Sequence, residues 1–142
     1  MPPDSTDQRN SPPDLKDFAT RYTEAWCSQT PERVAAFYSP EGSLQVNDGP
    51  PAVGRDAIAR LAQSFMVAFP DLRIAMDDVR IEAGKPEYHW TLTGTNTGPG
   101  GTGQSVLISG YERWSFGSDG LIASSEGHFD ADAYRRQLEH GV

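Results

Sequence analysis

The sequence predicts an α+β domain, with helices first, then a meander of long antiparallel strands, the helices lying on one face of the sheet. Three observations predict it. Apolar residues recur at three- and four-residue steps through the first half. From Leu72 onward, loose alternation of apolar and polar residues takes over. Turn-forming strings then punctuate the second half at strand-length intervals. A chain of 142 residues fits one domain with a genuine core.

Residues 1–13 hold four prolines and no large apolar residue after Met1, so they read as a disordered leader. They lack the basic start and apolar centre of a secretory signal, and cytoplasmic residence is the default expectation. Residues 14–142 read as one domain. Asp14 is placed to cap a first helix whose stripe is Leu15, Phe18, Tyr22, Ala25 and Trp26. Thr30-Pro31 opens a second, short helix with Val34, Ala35, Phe37 and Tyr38 on its apolar side, and Ser39-Pro40-Glu41-Gly42 breaks the chain. Ser43 to Asn47 reads as a short strand and Asp48 to Pro51 as a loop. Gly54-Arg55-Asp56 opens a third helix that carries Ile58, Leu61, Ala62, Phe65, Met66 and Phe69 before Pro70 ends it.

Strands are predicted over Leu72 to Ile81, Tyr88 to Thr95, Gln104 to Phe116 and Leu121 to Phe129, with turns at 83–86 and at Asp119-Gly120. Asp130 is placed to cap a short C-terminal helix carrying Tyr134 and Leu138. The glycine-rich loop Gly98 to Gly103 lacks the Lys-Ser/Thr and helix start of a phosphate-binding loop, and reads as a flexible connection or lid.

Composition excludes several classes of function. A net charge of −8 argues against a nucleic-acid surface, which needs clustered Lys and Arg. No apolar run reaches the roughly 20 residues of a membrane helix. Lone Cys27 rules out an internal disulfide and a cysteine-rich zinc site. Three histidines on separate segments, without local ligand spacing, give no metal site.

Several strings, in order, resemble the nuclear transport factor 2-like superfamily and, within it, the SnoaL-like (polyketide-cyclase-like) domains. They are Tyr22-Thr23-Glu24-Ala25-Trp26, Ala52-Val53-Gly54-Arg55-Asp56-Ala57-Ile58, Phe69-Pro70-Asp71-Leu72 and Thr93-Gly94-Thr95-Asn96-Thr97-Gly98. Asp119-Gly120-Leu121-Ile122, Gly127-His128-Phe129-Asp130 and Gln137-Leu138 complete the set. The resemblance covers nearly the whole chain from residue 14. It implies a cone, a curved antiparallel or mixed sheet packed around the three N-terminal helices, with an apolar pocket between them. It also implies a homodimer formed through the outer sheet face, and cofactor-free cyclase or isomerase chemistry on a keto-bearing ring substrate. The same cone also serves as a non-catalytic ligand-binding or interaction module, so the fold does not fix the function.

Candidate site residues follow from this resemblance and from strand parity. Asn96 stands where the cyclases commonly place histidine; an amide orients a substrate oxygen but does not titrate. Gly127 falls about where their acid/base aspartate is expected. Glu126 and His128 share one strand face. Facing inward they make an acid/base pair; facing outward they are surface or dimer contacts, and the smaller, more apolar alternate face favours outward. Asp71 is a further candidate carboxylate, equally typical of a turn. Tyr22, Trp26, Tyr38, Phe65, Trp90 and Tyr111 are the aromatic candidates for lining a pocket suited to a small hydrophobic or ring-bearing molecule.

Overall fold

The structure, a computed structural model, describes residues 14–142. The leader expected at 1–13 lies outside the described residues. Helix α1 spans Leu15–Trp26, and Asp14 accepts a capping hydrogen bond from the Asp17 N–H at 2.9 Å. Its buried face is Phe18, Ala19, Tyr22, Ala25 and Trp26, the residues that three- and four-step spacing brings to one side. Helix α2 is Pro31–Ala35, with proline at its first turn. Helix α3 is Arg55–Ala68 and buries Ile58, Ala62 and Met66.

Six strands form one mixed sheet: β1 Tyr38–Val46, β2 Ala52–Val53, β3 Arg73–Glu82, β4 Lys85–Thr95, β5 Ser105–Phe116 and β6 Ile122–Phe129. Their order is β2-β1-β6-β5-β4-β3. The β3–β6 run is the expected antiparallel meander, but β1 pairs with β6 in parallel, a crossover between distant segments. Helix α4, Ala131–His140, begins where the Asp130 carboxylate accepts from the Ala133 N–H at 3.0 Å.

Two boundaries differ from expectation. Tyr38 opens β1 instead of closing α2, and Ser39 to Gly42 continue that strand instead of breaking it. The register between β1 and β6 slips between Tyr38 and Ser43, and such an irregularity accommodates Pro40 inside a strand. Gly42 is needed there because a Cβ would sit 2.8 Å from the Ile122 carbonyl oxygen. The β3–β4 turn narrows to Ala83-Gly84, so Lys85 and Pro86 belong to β4.

The core lies between the helices and one face of the sheet. Phe18 and Tyr22 of α1 meet Trp114 edge-to-face with ring centroids 5.7 and 5.2 Å apart, while Tyr88 stacks on Trp114 at 5.1 Å. Helix α4 buries no residue of its own and is held by side chains: Tyr134 packs on Phe69 and Phe129, and Gln137 accepts from the Leu107 N–H at 2.7 Å. Among the described residues no helix is long and apolar enough to cross a membrane.

Candidate functional site

Strand parity divides the sheet. Register aligns Tyr88 with Glu112, Trp90 with Gly110 and Leu92 with Ile108, and Glu112 in turn with Gly127. All of these but Gly110 line one side of a cavity of about 60 Å³; Trp26 and Leu61, Phe65 and Tyr134 close it from the helices. Gly110 leaves room for the cluster, since a Cβ there would lie 2.7 Å from the Trp90 ring and 3.0 Å from Phe129 Cβ.

One carboxyl-bearing residue, Glu112, lines this mostly apolar space, as does Trp90, whose buried indole N–H has no partner among the described residues. Glu112 is 7% exposed. Its Oε1 accepts three hydrogen bonds, from Tyr22 Oη at 2.9 Å, Trp114 Nε1 at 2.9 Å and Ser125 Oγ at 2.8 Å. Because Tyr22 donates to Glu112, the 2.7 Å contact between the Tyr22 and Tyr38 hydroxyls has Tyr38 as donor. Oε2 accepts none of these three bonds, and Glu112 is among the residues that line the cavity. Burial pushes the Glu112 carboxyl above its ordinary range, and the bonds from Trp114, Ser125 and Tyr22 offset only part of that. Burial, together with the neighbouring Glu112, pushes the Tyr22 and Tyr38 hydroxyls well up, so both stay protonated donors.

The expected aromatic residues divide into three groups. Trp26, Phe65 and Trp90 line the cavity. Tyr22 and Tyr38 sit behind it, fully buried, holding Glu112 instead of facing a guest. Tyr111 is a correction: it has the opposite parity on β5 and lies on the outer face between His89 and His128, at ring distances of 5.5 and 5.1 Å.

The candidate catalytic residues do not come together. Asn96 is buried beyond the end of β4, where Nδ2 donates to the Ala68 carbonyl at 3.0 Å and Oδ1 accepts from the Thr102 N–H at 2.8 Å. Both ends of its amide are thus used in joining α3 to the glycine-rich loop, and it does not line the cavity. That loop is pinned, not lid-like: Gly98 donates to Ala68 and Gly103 to Asn96 through their backbones. Glu126 and His128 are exposed on the outer face, the side opposite Ser125 and Gly127. Asp71 is exposed too; the Thr95 N–H, 2.7 Å from its Oδ1, holds its carboxyl below the usual range. Among the described residues no three His, Cys, Asp or Glu side chains cluster as a cation site.

A model of the SnoaL-like domain matches residues 19–125, three-quarters of the chain. The chain belongs to the SnoaL-like domain family. Comparison with curated proteins gave no match. Solved structures of similar fold include a protein with a ketosteroid isomerase-like fold from Catenulispora acidiphila DSM 44928, in complex with trimethylamine; it is 11% identical over 87% of this chain and 92% of its own, with a TM-score of 0.75. A protein assigned as a SnoaL-like polyketide cyclase from Jannaschia sp. CCS1 is 15% identical over 89% and 92%, with a TM-score of 0.75. TerC, co-crystallised with polyporic acid, is 15% identical over 87% and 96%, with a TM-score of 0.69. These likenesses establish the nuclear transport factor 2-like fold.

In this SnoaL-like domain, Glu112 is the functional candidate that sequence reading missed. The signal was available. Val106, Ile108, Gly110, Trp114 and Phe116 share its parity on β5, so a glutamate at 112 interrupts an apolar row. A buried carboxyl in such a row needs partners, and the chain supplies them from α1, β5 and β6.

Proposed function

We propose that the protein holds a small, mostly apolar molecule in the inner cavity and that Glu112 carries a proton to or from it. The observation that carries this reading is the Glu112 carboxyl, buried on a residue that lines the cavity with its Oε1 held by three donors. Trp26, Phe65 and Trp90 supply the apolar walls. The chemistry this arrangement suits is cofactor-free proton transfer next to a carbonyl, the basis of keto isomerisation and cyclisation. Ionised Glu112 takes the α-proton on Oε2, the C–H electron pair moves into the enolate, and the same carboxyl returns a proton to carbon. Burial moves the carboxyl toward neutral pH, where a group serves as both acid and base. Tyr22 and Tyr38 orient it and take no proton themselves.

The test is deuterium exchange at the α-carbons of cyclopentanone in D2O, followed by NMR. The wild type accelerates exchange over buffer, and Glu112→Gln, which keeps an oxygen for the three donors, does not. Bound ketone without accelerated exchange would leave a ligand-binding module in place of an enzyme. The homodimer that the family resemblance implies would use the outer face, where His89, Tyr111 and His128 stack across three strands.

A further inference from the structure

The inner cavity measures about 60 Å³. An apolar cavity of about 150 Å³ is what holds a single benzene ring. A ring-bearing guest therefore enters only if one wall gives way, and the walls differ in what holds them.

Most of the lining strand residues stand on β1, β4, β5 and β6, each of which has a neighbouring strand on both sides. Moving any of these breaks ladder hydrogen bonds. Helices α1 and α3 are anchored by fully buried side chains, among them Tyr22, Ile58 and Ala62. The glycine-rich loop does not line the cavity, and the Asn96 amide ties it to the end of α3. Helix α4 is the exception, since it buries no residue.

Three side chains hold α4 down. Tyr134, its one residue on the cavity, rests on Phe69 and Phe129 with ring centroids 6.4 and 5.6 Å away. Leu138 packs on the same apolar cluster as Phe69. Gln137 holds the edge of β5. The pairing of β5 with β6 ends at Gly110 and Phe129, so Leu107 lies beyond it and donates its N–H to Gln137 Oε1 at 2.7 Å. Leu107 is half exposed, so water takes over that bond when the helix leaves, at little net cost.

We propose that α4 is the lid of the cavity: it detaches from Asp130 onward to admit a guest and recloses with Tyr134 as the plug and Gln137 as the latch. This rests on the reading of the cavity as a ligand site and adds its way in. A ten-residue helix is not stable alone in water, so α4 melts when it detaches.

The test is amide hydrogen exchange of the full chain by NMR, together with association and dissociation rates of cyclopentanone from NMR line shapes. The α4 amides and the Leu107 N–H are expected to exchange as one unit, faster than the amides of α1 and α3. Gln137→Ala speeds exchange of that unit about three- to tenfold, the net worth of one hydrogen bond. It raises both ketone rates by the same factor and leaves the affinity and the α1 and α3 amides unchanged. Gln137→Glu keeps the acceptor and stays near the wild type in all of these. Exchange of α4 only through global unfolding, or ketone rates that Gln137→Ala does not move, overturns the lid while ketone binding keeps the ligand reading. An α4 that opens as a unit over a cavity that takes no ketone sinks the ligand reading and keeps the lid.

Discussion

Burying Glu112 costs the folded chain more when the carboxyl is ionised, and the sign of the resulting pH dependence is fixed. Its folded pKa lies above the unfolded value, so the folded state holds the proton more tightly. The stability from this group is complete below the ordinary carboxylate pKa and is lost as pH rises toward the raised one. Across that window the slope is at most about 1.4 kcal/mol per pH unit. Denaturant unfolding at a series of pH values should show the wild type weakening over this range and Glu112→Gln not weakening there. A variant that tracks the wild type would show Glu112 to be solvated. Asp71 runs the other way: its carboxyl is held low by Thr95, so its contribution is present above the ordinary pKa and lost in acid. At this scale the sequence was legible through parity more than through residue type. Alternation puts Trp90 and His89 on opposite strand faces, and Trp90 is on the face that lines the cavity although Asn96 is not in it. Tyr111 was chosen as an aromatic, although its odd position on β5 puts it outside. Asn96 follows from the family resemblance and Asp71 from being a carboxylate at a turn, and local hydrogen bonding uses both for joining chain segments.

At the scale of elements, the clamp at the C-terminal end of α3 is the joint that aligns that helix with the strand lining the cavity. Asn96→Ala removes two hydrogen bonds from a buried site, taking from the Thr102 N–H its acceptor and leaving the Ala68 carbonyl with the Gly98 N–H alone. The expected loss is about 2 kcal/mol of stability in denaturant unfolding, with α-proton exchange per folded molecule unchanged. Loss of exchange without loss of stability would return Asn96 to the chemistry. Gly98→Ala should be worse, because a Cβ would lie 2.0 Å from the Val67 carbonyl oxygen; its failure to accumulate as folded protein is the check. Helices α1 and α4 were legible because their Asp caps announce them, and α3 because its apolar spacing runs up to Pro70. Only the second half of strand β1 was, as Ser43 to Asn47, since Pro40 and Gly42 read locally as a break. Pairing with β6, some eighty residues away, overrides that local signal.

For the molecule as a whole, one face of the sheet is covered by helices and the other carries rows of polar and aromatic side chains. Arg113 donates to Glu87 at 2.7 Å beside the His89, Tyr111 and His128 stack. If two copies pair there, Tyr111→Glu should shift sedimentation from dimer to monomer while leaving ketone binding in the cavity intact; a wild type that sediments as a monomer would refute the pairing. The parallel β1–β6 contact joins the first strand to the last and brings Ser125 beside Leu44 at the back of the cavity. No local pattern announces that crossover, because the pairing is set by global closure of the sheet. The proton transfer proposed for this fold depends on a protonatable Glu112 in the wall of the cavity. The most direct test is a 13C NMR titration of the Glu112 carboxyl, assigned with Glu112→Gln, with and without cyclopentanone. The account predicts a midpoint above the ordinary glutamate value that is displaced when the ketone binds beside it. A midpoint in the ordinary range, unmoved by the ketone, would contradict it.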